Sequence, residues 1–563
     1  MARSDAIDTD VPGTVYLVDA TGSLRDVAHA GTKDVLLIPQ PTSFSADPLN
    51  WPLYKKYWTL FLISMYACVN SFGENNWGAA WTTISDDTGV SLNNMNGGSA
   101  LNYLMLGFFN IIWIPTAMRF GRKIVYILSL LFVLGSGIWG GFYQGVSQYY
   151  IMMVVNGIGT AAYQALIQLT VCYVSEVLTS IFDVFFTHER GRMLSIYIFF
   201  QQLGSIIGLI CGGYISDGIG WRWSMPIVSI ACAVLILLFI FTFDDTMFPR
   251  YRFSGETPQR TTKAENETAH TPSDTPTTEG KDSKVEPPMS IVESRTVGEM
   301  DMPPRTYLQK MSPVHYFKDD NTTWYQYFRR PFFLFAFPNI LLAGIQFAFG
   351  CTAGIVSFNT ISEIMTEAPY NWSAGSAGLI FLAALVGNFL GYDVSYHYMG
   401  IGSLSDWVVV FLARRNKGYK EPEMRLWTYS IPLVLAAVGY FVYGWGATEG
   451  LHWMSIAVGL CCMIAQQVSA TSIATAYAME CFEQISGELV IVLACCSSII
   501  NFVISFTVQD FIDGTNYGWT FTFYGIMVVL SMAAGAPMII WGKDWRRKCK
   551  PRYEKFLAET GRQ

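Results

Sequence analysis

Long apolar runs, each of about 20 residues, recur along the chain and dominate its pattern. A run of that length crosses a hydrocarbon layer of about 30 Å as an α-helix. Because backbone polar groups find no partners in lipid, such runs must be helical. The pattern predicts spans at 57–80, 97–117, 123–143, 149–171, 193–215 and 223–243, followed by 332–360, 376–400, 424–445, 452–475, 487–508 and 517–541.

Two polar stretches, 1–56 and 244–331, interrupt this pattern, and the second separates six predicted spans from six. Its centre, from Ser254 to Pro304, is rich in Thr, Pro, Ser, Glu and Lys, which predicts a disordered linker. We therefore predict an all-α membrane protein with twelve transmembrane helices in two six-helix bundles. Its parts are a cytoplasmic N-terminal segment (1–56), a first bundle (57–243), the linker (244–331), a second bundle (332–541) and a cytoplasmic C-terminal tail (542–563).

Composition narrows the class of protein. Hydrophobic residues make up 52% of the 563 residues and charged residues 14%, against about 25% charged in an average soluble domain. These values exclude a soluble enzyme, a disordered protein and a disulfide-rich secreted scaffold. The net charge of −7, with no basic domain, argues against nucleic acid as a partner. The loops offer no nucleophile–base pair or metal-ligand cluster, so we predict neither an enzyme nor a bound metal or cofactor.

Two halves joined by a linker are typical of transporters built from repeats, whose solute site lies at mid-membrane between the halves. A channel is the other membrane class, but the sequence has no short re-entrant filter loop and no ring-forming repeat. We therefore expect a monomer whose partners are a small-molecule solute, protons and the lipid bilayer.

Lysine and arginine fall on one side of the predicted membrane. Loops on that side carry basic clusters at 119–123, 188–192, 414–417 and 543–548, whereas loops on the other side carry a single basic residue, Arg222. By the positive-inside rule the basic side faces the cytoplasm, which places both termini there. We expect a multi-pass protein of the plasma membrane. The sequon at Asn371 then lies outside, which predicts glycosylation of that residue.

One carboxylate falls within the first predicted span, where charges are costly and mark functional sites by default. Asn70, Glu74 and Trp77 are spaced i, i+4 and i+7, so they share one face of a helix. A carboxylate there attracts a cationic solute, titrates as the proton-coupling group, or does both. The alternative is that Glu74 lies in the outer headgroup zone and is merely solvated.

Amide side chains within the spans are further candidates for solute binding, because they hydrogen-bond polar groups at mid-membrane. The candidates are Asn156, Gln164, Gln168, Gln201, Gln202, Gln346, Asn359, Gln466 and Gln467. The alternative for each of them is a hydrogen bond between helices, which is common in membrane bundles. Aromatic residues add candidates for cation–π contacts with a cationic solute. Examples are Trp113, Tyr163, Trp445 and Tyr477.

Small residues recur in the fifth predicted span, where Gly204, Gly208 and Gly212 have small-xxx-small spacing. Such spacing lets two helix backbones approach, so it predicts close packing rather than binding. On the basic side, Glu480 and Glu488 bracket a turn and are candidates for gate contacts with Arg or Lys.

Four short motifs stand in the predicted loops: Asp47–Pro52, Phe120–Lys123, Asp183–Gly191 and Gly220–Trp223. Together they resemble the major facilitator superfamily, in its fungal twelve-helix drug:proton antiporter-type branch, and the resemblance covers residues 34–548. It implies the fold of that superfamily, with charged loop residues whose contacts between helices control opening and closing. These gating residues would be Arg119, Arg122, Asp183, Glu189, Arg190, Asp406, Arg414 and Arg415.

Four further segments, Val35–Pro41, Leu404–Trp407, Leu412–Gly418 and Glu421–Leu426, resemble the fungal Hol-type subgroup. That likeness implies proton-coupled import of polyamines and related organic cations by alternating access. Export of drugs or secondary metabolites by proton antiport is the alternative within the class. A non-transporting nutrient receptor is the alternative of another class.

The chain departs from the family pattern at several positions. Met118 stands where the family has an acidic residue, so the first-half charge contact is incomplete. Gly208-Leu209 stands where the antiporter motif has Gly-Pro, which weakens the export hypothesis. Residues 172–182 and 392–399 look inserted, and each would shift a helix by more than one turn of about 3.6 residues. One hypothesis is that one or both are retained introns in the gene model.

Overall fold

The computed structural model describes residues 11–16, 51–172, 187–246, 311–314, 323–391, 401–416, 419–482 and 485–560. Helices dominate these ranges. The strands described there are β1 (Val15–Tyr16) and β2 (Tyr419–Lys420), which pair antiparallel. The centre of the predicted linker and the stretches that look inserted after Cys172 and Gly391 lie outside the described residues.

Six long helices form the first bundle. They are α1 (Leu53–Asn75), α3 (Leu92–Phe120), α4 (Arg122–Gly140), α5 (Gly145–Cys172), α6 (Thr187–Gly218) and α7 (Ser224–Thr242). A 3₁₀ turn at Gly78–Ala80 and the short α2 (Trp81–Thr88) connect α1 to α3. The first span therefore ends earlier than the predicted residue 80, because α1 stops at Asn75 and the chain tightens into that turn.

The second bundle repeats this arrangement. Its spanning elements are α9 (Pro338–Thr366), α10 with α11 (Ala374–Leu379 and Phe381–Gly391), α13 (Ser430–Thr448), α14 (Trp453–Cys481), α15 (Ser486–Gly514) and α16 (Tyr517–Ala533). Three helices flank them, namely α8 (Trp324–Leu334), α12 (Ile401–Arg415) and α17 (Gly535–Thr560). A 3₁₀ segment, Pro422–Tyr429, leads into α13. The stretch predicted as linker up to residue 331 thus already contains most of α8.

Within the described residues, ten helical segments are long and apolar enough to cross a membrane. The helices α1 and α5, of 23 and 28 residues, are two further segments of spanning length. With them the described chain has the twelve helices that the hydrophobic pattern predicts. The predicted fold class, a helical membrane protein of two six-helix bundles, is confirmed.

Each bundle is held by packed helix pairs, most of which are not consecutive in sequence. In the first, α1 packs on α6, α3 on α5 and α4 on α7; in the second, α9 packs on α14 and α15, and α13 on α14 and α16. The halves meet where α3 packs on α15 and α6 on α10. Val490 and Ile491 of α15 are buried in the apolar core of the first bundle, so α15 joins the halves.

The glycines of α6 are the places where α1 comes closest. A Cβ atom at Gly204 would lie 2.2 Å from the carbonyl oxygen of Cys68, and one at Gly212 would lie 1.7 Å from that of Asn76. Neither distance is possible for real atoms, so only glycine permits this approach. The predicted packing role of these glycines agrees with this geometry, and the approach sets the position of the end of α1 beside α6.

The two ends of the molecule differ in charge. The end at which α1 begins is here called the basic end; it carries Arg122, Lys123, Arg414, Arg415, Lys543 and Arg546. The opposite end, the far end, is mainly acidic. There Asp87 accepts hydrogen bonds from the indole of Trp221 at 2.9 Å and the guanidinium of Arg222 at 2.8 Å. These two donors hold the pKa of the Asp87 carboxyl below its ordinary value.

Candidate functional site

A cavity of about 290 Å³ lies between the two bundles. Helices α1, α3, α5 and α6 line it from the first bundle, and α9, α14 and α15 line it from the second. It extends from the last turns of α1 toward the basic end, where Met479 of α14 borders it. The two halves thus contribute opposite walls, which is where a site for alternating access belongs.

Glu74 is the one carboxylate among the described residues that line the cavity, and none of those residues is basic. Its position follows from α1, which ends one residue later against the glycines of α6. The hydroxyl of Tyr163 donates to Oε2 of Glu74 at 2.5 Å. The amide of Asn102 donates to Oε1 at 3.5 Å. Two helices, α5 and α3, therefore hold the carboxylate in place.

A chain of donors continues behind Glu74. The amide of Asn156 donates to Oδ1 of Asn102 at 3.5 Å, and the hydroxyl of Ser136 donates to Oδ1 of Asn156 at 3.0 Å. The amides of Asn156 and Asn102 both point a hydrogen toward the carboxylate, whereas the single hydrogen of the Ser136 hydroxyl is shared with the Val133 carbonyl, 2.9 Å away. Such an arrangement stabilises the ionised form, since aligned donors offset part of the loss of water.

The opposite wall is neutral and rich in hydroxyl and amide groups. Its polar residues are Gln467, Thr471, Ser472, Thr475, Ser497, Ser498 and Asn501. Gln467 accepts a hydrogen bond at 2.6 Å from the backbone N–H of Gly354, which fixes its amide against α9. Aromatic rings of Tyr103, Phe347 and Phe358 complete the lining. This wall offers hydrogen bonds and ring faces but no charge.

The sequence indicated Gln467 among the candidate amides but none of the hydroxyl residues of this wall. Gln467, Thr471 and Thr475 follow one another at intervals of four, a polar stripe in an apolar helix. That stripe is the signal that could have found the wall.

Of the residues predicted to bind solute, Glu74, Gln201, Gln202 and Gln467 line the cavity, as does Tyr163. Asn70, Gln346 and Gln466 turn away from it. Asn70 is fully buried and donates to the carbonyl of Tyr66 at 2.7 Å. Gln346 lies 3.4 Å from the carbonyl oxygen of Ser531 and accepts from Tyr429.

Gln466 is also fully buried, and its neighbour Gln467 faces the cavity in its place. For Gln346 the alternative of a contact between helices describes the geometry. The backbones at Gln164 and Gln168 belong to α5, but their side chains lie outside the described residues.

Trp77 also lies apart from the main cavity, although it borders a narrow pocket beside Glu74. The i+7 spacing required α1 to continue, but the helix ends at Asn75 and Trp77 enters the 3₁₀ turn. Its ring packs instead with Tyr143, Tyr149 and Trp221, at centroid distances of 5.9, 6.3 and 6.0 Å. This places Trp77 in an aromatic cluster at the far end.

Polar contacts between the halves close the far end. The amide of Asn359 on α9 donates to Asn96 on α3 at 2.9 Å, and the amide of Asn96 donates to Gln509 on α15 at 3.4 Å. Asn93 donates to Asp510 at 3.0 Å. These contacts separate the cavity from the far end.

A second set of contacts closes the same end nearby. The hydroxyl of Ser362 on α9 donates to the carbonyl of Ala79 at 3.2 Å, and the backbone N–H of Gly375 donates to Asp217 of α6 at 2.8 Å. Ser362 is 1% exposed as a result. The far end is therefore shut by contacts from the 3₁₀ turn Gly78–Ala80, α3 and α6 against the second bundle.

At the basic end of the first bundle, Arg122 is buried and its guanidinium donates to Thr246 at 3.0 Å. Its backbone N–H donates to the carboxylate of Asp245 at 3.1 Å, at the start of α4. A carboxylate that follows α7 thus lies at the start of α4, although the acidic residue of the family is absent at Met118. Lys55 and Asp244 form a further ion pair beside it.

The second bundle has a denser charge network at the basic end. Glu480 accepts from Arg425 and from Lys420, each at 2.8 Å, which agrees with its predicted gate contact. The buried Arg546 holds both oxygens of Glu423, at 2.8 and 2.6 Å. Sequence reasoning missed the latter pair, whose members lie 123 residues apart.

The other predicted gating residues lie at the surface, at a helix end or outside the described residues. Arg414 and Arg415 are exposed on α12, and the Arg415 guanidinium lies 4.5 Å from the ring centroid of Phe411. Arg119 lies in the last turn of α3. Asp183 and the side chains of Glu189, Arg190 and Asp406 lie outside the described residues.

Two helical bundles around a shared polar cavity define a membrane transporter. The family model described as Major Facilitator Superfamily matches residues 63–487, and the chain belongs to this superfamily. It is a multi-pass membrane transporter and not an enzyme.

Relatives and solved structures agree with this membership. An uncharacterised MFS-type transporter of Schizosaccharomyces pombe is 28% identical, over 99% of this chain and 96% of its own. The protein HOL1 of Saccharomyces cerevisiae is 25% identical, over 95% of each chain.

Among structures, the proton:xylose symporter XylE matches with a TM-score of 0.53 at 13% identity, over 87% of this chain and 97% of its own. A bacterial homologue of the human lysosomal transporter Spinster matches with a TM-score of 0.51 at 12% identity, over 90% and 99% of the two chains. These two structures show a shared fold.

The loop between α9 and α10 provides a test of orientation. Asn371 is exposed there, at the far end, and Ser373 completes its sequon. We expect one N-glycan at Asn371, since the positive-inside rule places this loop outside. Asn371→Gln should therefore remove the mobility shift that a glycosidase produces on a gel. Asn266→Gln, at a sequon in the segment that the sequence predicts to be cytoplasmic, is the control and should change nothing. A glycosidase shift that survives Asn371→Gln would contradict the orientation.

Proposed function

We propose that this transporter couples the movement of a small organic cation, with polyamines favoured, to protons. The observation that carries the proposal is Glu74, the one carboxylate among the described cavity-lining residues, none of which is basic. An ionised carboxylate buried without a positively charged partner is costly, so it recruits either a cation or a proton. Glu74 is proposed to serve both as cation site and as proton-coupling group.

The rest of the lining supports a small cation rather than an anion or an apolar solute. The volume of about 290 Å³ is near the lower limit of the range of about 300–1,000 Å³ for small-molecule pockets. Tyr103, Phe347 and Phe358 present rings suited to cation–π contacts, and the hydroxyl-rich wall suits ammonium hydrogens. The resemblance to the Hol-type subgroup, and the 25% identity to HOL1, favour import across the plasma membrane.

The shared carboxylate favours a second candidate direction. One carboxylate cannot hold a proton and an ammonium group at the same time, so the two compete. Competition at a single site produces exchange of cation against protons, which is the mechanism of a proton antiporter that exports its solute. Import together with a proton would require a second proton-binding group.

A flux assay tests the proposal and separates the two directions. The purified full chain is placed in proteoliposomes, and uptake of radiolabelled spermidine is measured under a pH gradient of either sign. We expect the gradient to drive accumulation. Stimulation by an acidic lumen identifies exchange, and stimulation by acid outside identifies import with the proton. Uptake that is unchanged by a pH gradient of either sign would refute proton coupling. If neither spermidine nor a competing monoamine is taken up in a saturable way, the proposal that the solute is an organic cation is refuted.

A further inference from the structure

A short N-terminal segment, residues 11–16, is docked on the basic-end face of the second bundle. Its β1 strand pairs with β2, so that Val15 lies opposite Lys420 and Tyr16 opposite Tyr419. Val11 at the other end of the segment is 3% exposed. The segment belongs in sequence to the first half, yet these contacts are made with the second. We call it the strap.

The sequence of the strap is built for this geometry. The backbone N–H of Thr14 donates to the carbonyl of Val11 at 3.2 Å, which closes a turn with Pro12 and Gly13 at its centre. Pro followed by Gly with positive φ is the residue order of a type II turn, and Gly13 has φ of +79°. A Cβ atom at Gly13 would lie 2.4 Å from the carbonyl oxygen of Glu480. Glycine is therefore required both by the turn and by the contact.

A buried charge anchors the strap. The Arg546 side chain is fully buried, and besides holding Glu423 it donates to the carbonyl oxygen of Pro12. A guanidinium has five hydrogens to satisfy, and leaving a buried one unpaired is costly. The strap carbonyl thus satisfies one donor of a group that cannot reach water. Docking is specific because it requires the Pro12 carbonyl, at the turn, to face the Arg546 guanidinium.

The docking face borders the region where the halves separate. Glu480 and Cys481 end α14, the helix that lines the cavity through Gln467 and Thr475. Met479, one residue earlier, packs against the apolar core of the first bundle. The strap therefore lies at the rim over which the first bundle must close when access changes from the basic end to the far end.

We propose that the strap is a built-in peptide ligand of the second bundle that restrains closure of the basic end. Because the docked strap occupies the rim that the first bundle approaches on closure, its binding is compatible with the state in which the far end is shut and opposes the one in which the far end is open. Release of the strap raises the population of the far-end-open state. The inference does not depend on the identity of the solute or on Glu74.

A thiol reporter measures the far-end-open population directly. Ser362 is shielded by the contact with Ala79, so Ser362→Cys reacts with an impermeant maleimide only after the far end opens. The full chain with this reporter is placed in lipid nanodiscs without solute. The labelling rate is followed by mass spectrometry of the peptide that contains residue 362, which separates the reporter from native cysteines.

Two opposite changes are made in the reporter background. Gly13→Val prevents docking, and we expect labelling about fivefold faster, the lower end of usual coupling between sites. Gly145→Val is its control, because Gly145 has φ of +77° and no neighbouring atom within 4 Å of its added Cβ. A disulfide between Tyr16→Cys and Tyr419→Cys, which are strand partners, locks the strap on, and labelling should become slower until a reductant is added.

Each outcome of the labelling experiment supports the proposed role of the strap or overturns it. Faster labelling in Gly13→Val, unchanged labelling in the control and reversible slowing by the disulfide together support the strap. Equal labelling rates with the strap free and locked would overturn the proposal, as would slower labelling in Gly13→Val. Spermidine flux is not used, so this result stands apart from the test of the proposed function.

Discussion

Glu74→Gln should weaken binding of a cationic solute about 100-fold and remove the pH dependence of transport. Losing one partner of a buried charge pair costs about 2–5 kcal/mol, and about 3 kcal/mol corresponds to a factor of about 100. The amide keeps the size of the side chain, and the donors of Tyr163 and Asn102 remain in place. The variant therefore removes the charge while changing the cavity little.

The pH dependence follows from the same charge. Only the ionised carboxylate attracts a cation, so affinity falls as protons occupy Glu74 at lower pH and recovers as the pH rises. The glutamine variant has no proton to exchange, and its weak binding should be flat with pH. Saturation of radiolabelled spermidine uptake at several pH values, in the same proteoliposomes, measures both effects.

Two matched variants make the experiment specific. Glu74→Asp keeps the charge on a shorter side chain and should retain pH dependence with reduced affinity. Glu449→Gln removes an exposed far-end carboxylate at the end of α13 and should behave as the wild type. Wild-type affinity with intact pH dependence in Glu74→Gln would show that the coupling group lies elsewhere.

Gly212→Ala should destabilise the first bundle by about 3 kcal/mol, a large effect for one methyl group. The added Cβ would lie 1.7 Å from the carbonyl oxygen of Asn76, so α1 and α6 must separate. Overpacking of a tight contact costs about 1–3 kcal/mol, and backbone atoms cannot yield as a flexible side chain does. The free energy of unfolding in detergent, from denaturant titration of the purified chain, measures the loss.

Gly135→Ala is the matched control for that substitution. It lies within α4, and its added Cβ would meet no atom within 4 Å. Alanine favours a helix over glycine by about 1 kcal/mol, so this variant should be neutral or slightly stabilised. Equal stability of the two alanine variants would show that the approach of α1 to α6 is not needed for the fold.

Residue spacing predicted the site only as far as the helix remained regular. Asn70, Glu74 and Trp77 would share one face of a regular helix, yet only Glu74 of the three lines the main cavity. Asn70 points into the core, because α1 is covered on more than one side. Trp77 leaves the helix altogether. On α14 the sequence offered two adjacent amides, and only the structure shows that Gln466 is buried whereas Gln467 faces the cavity.

Spacing along the sequence also fails to predict the charge contacts. With Met118 in place of an acidic residue, the first-half charge contact is incomplete in the sequence. Yet the carboxylate of Asp245, just after α7, lies at the start of α4 and accepts from the backbone N–H of Arg122. Arg546 meets Glu423 and the Pro12 carbonyl, groups from two other parts of the chain. Residues so far apart in sequence become neighbours only after the bundles pack.

The amino-acid sequence alone was enough to predict the number of spans, the division into two bundles and the close contact along Gly204, Gly208 and Gly212. These properties depend on apolar length, composition and side-chain size, which local sequence carries. The rotation of each helix about its own axis is different, because it results from packing against several neighbours at once. That rotation determines which amides reach the cavity, which carbonyl satisfies Arg546 and where the strap binds, so the folded arrangement was needed to find them.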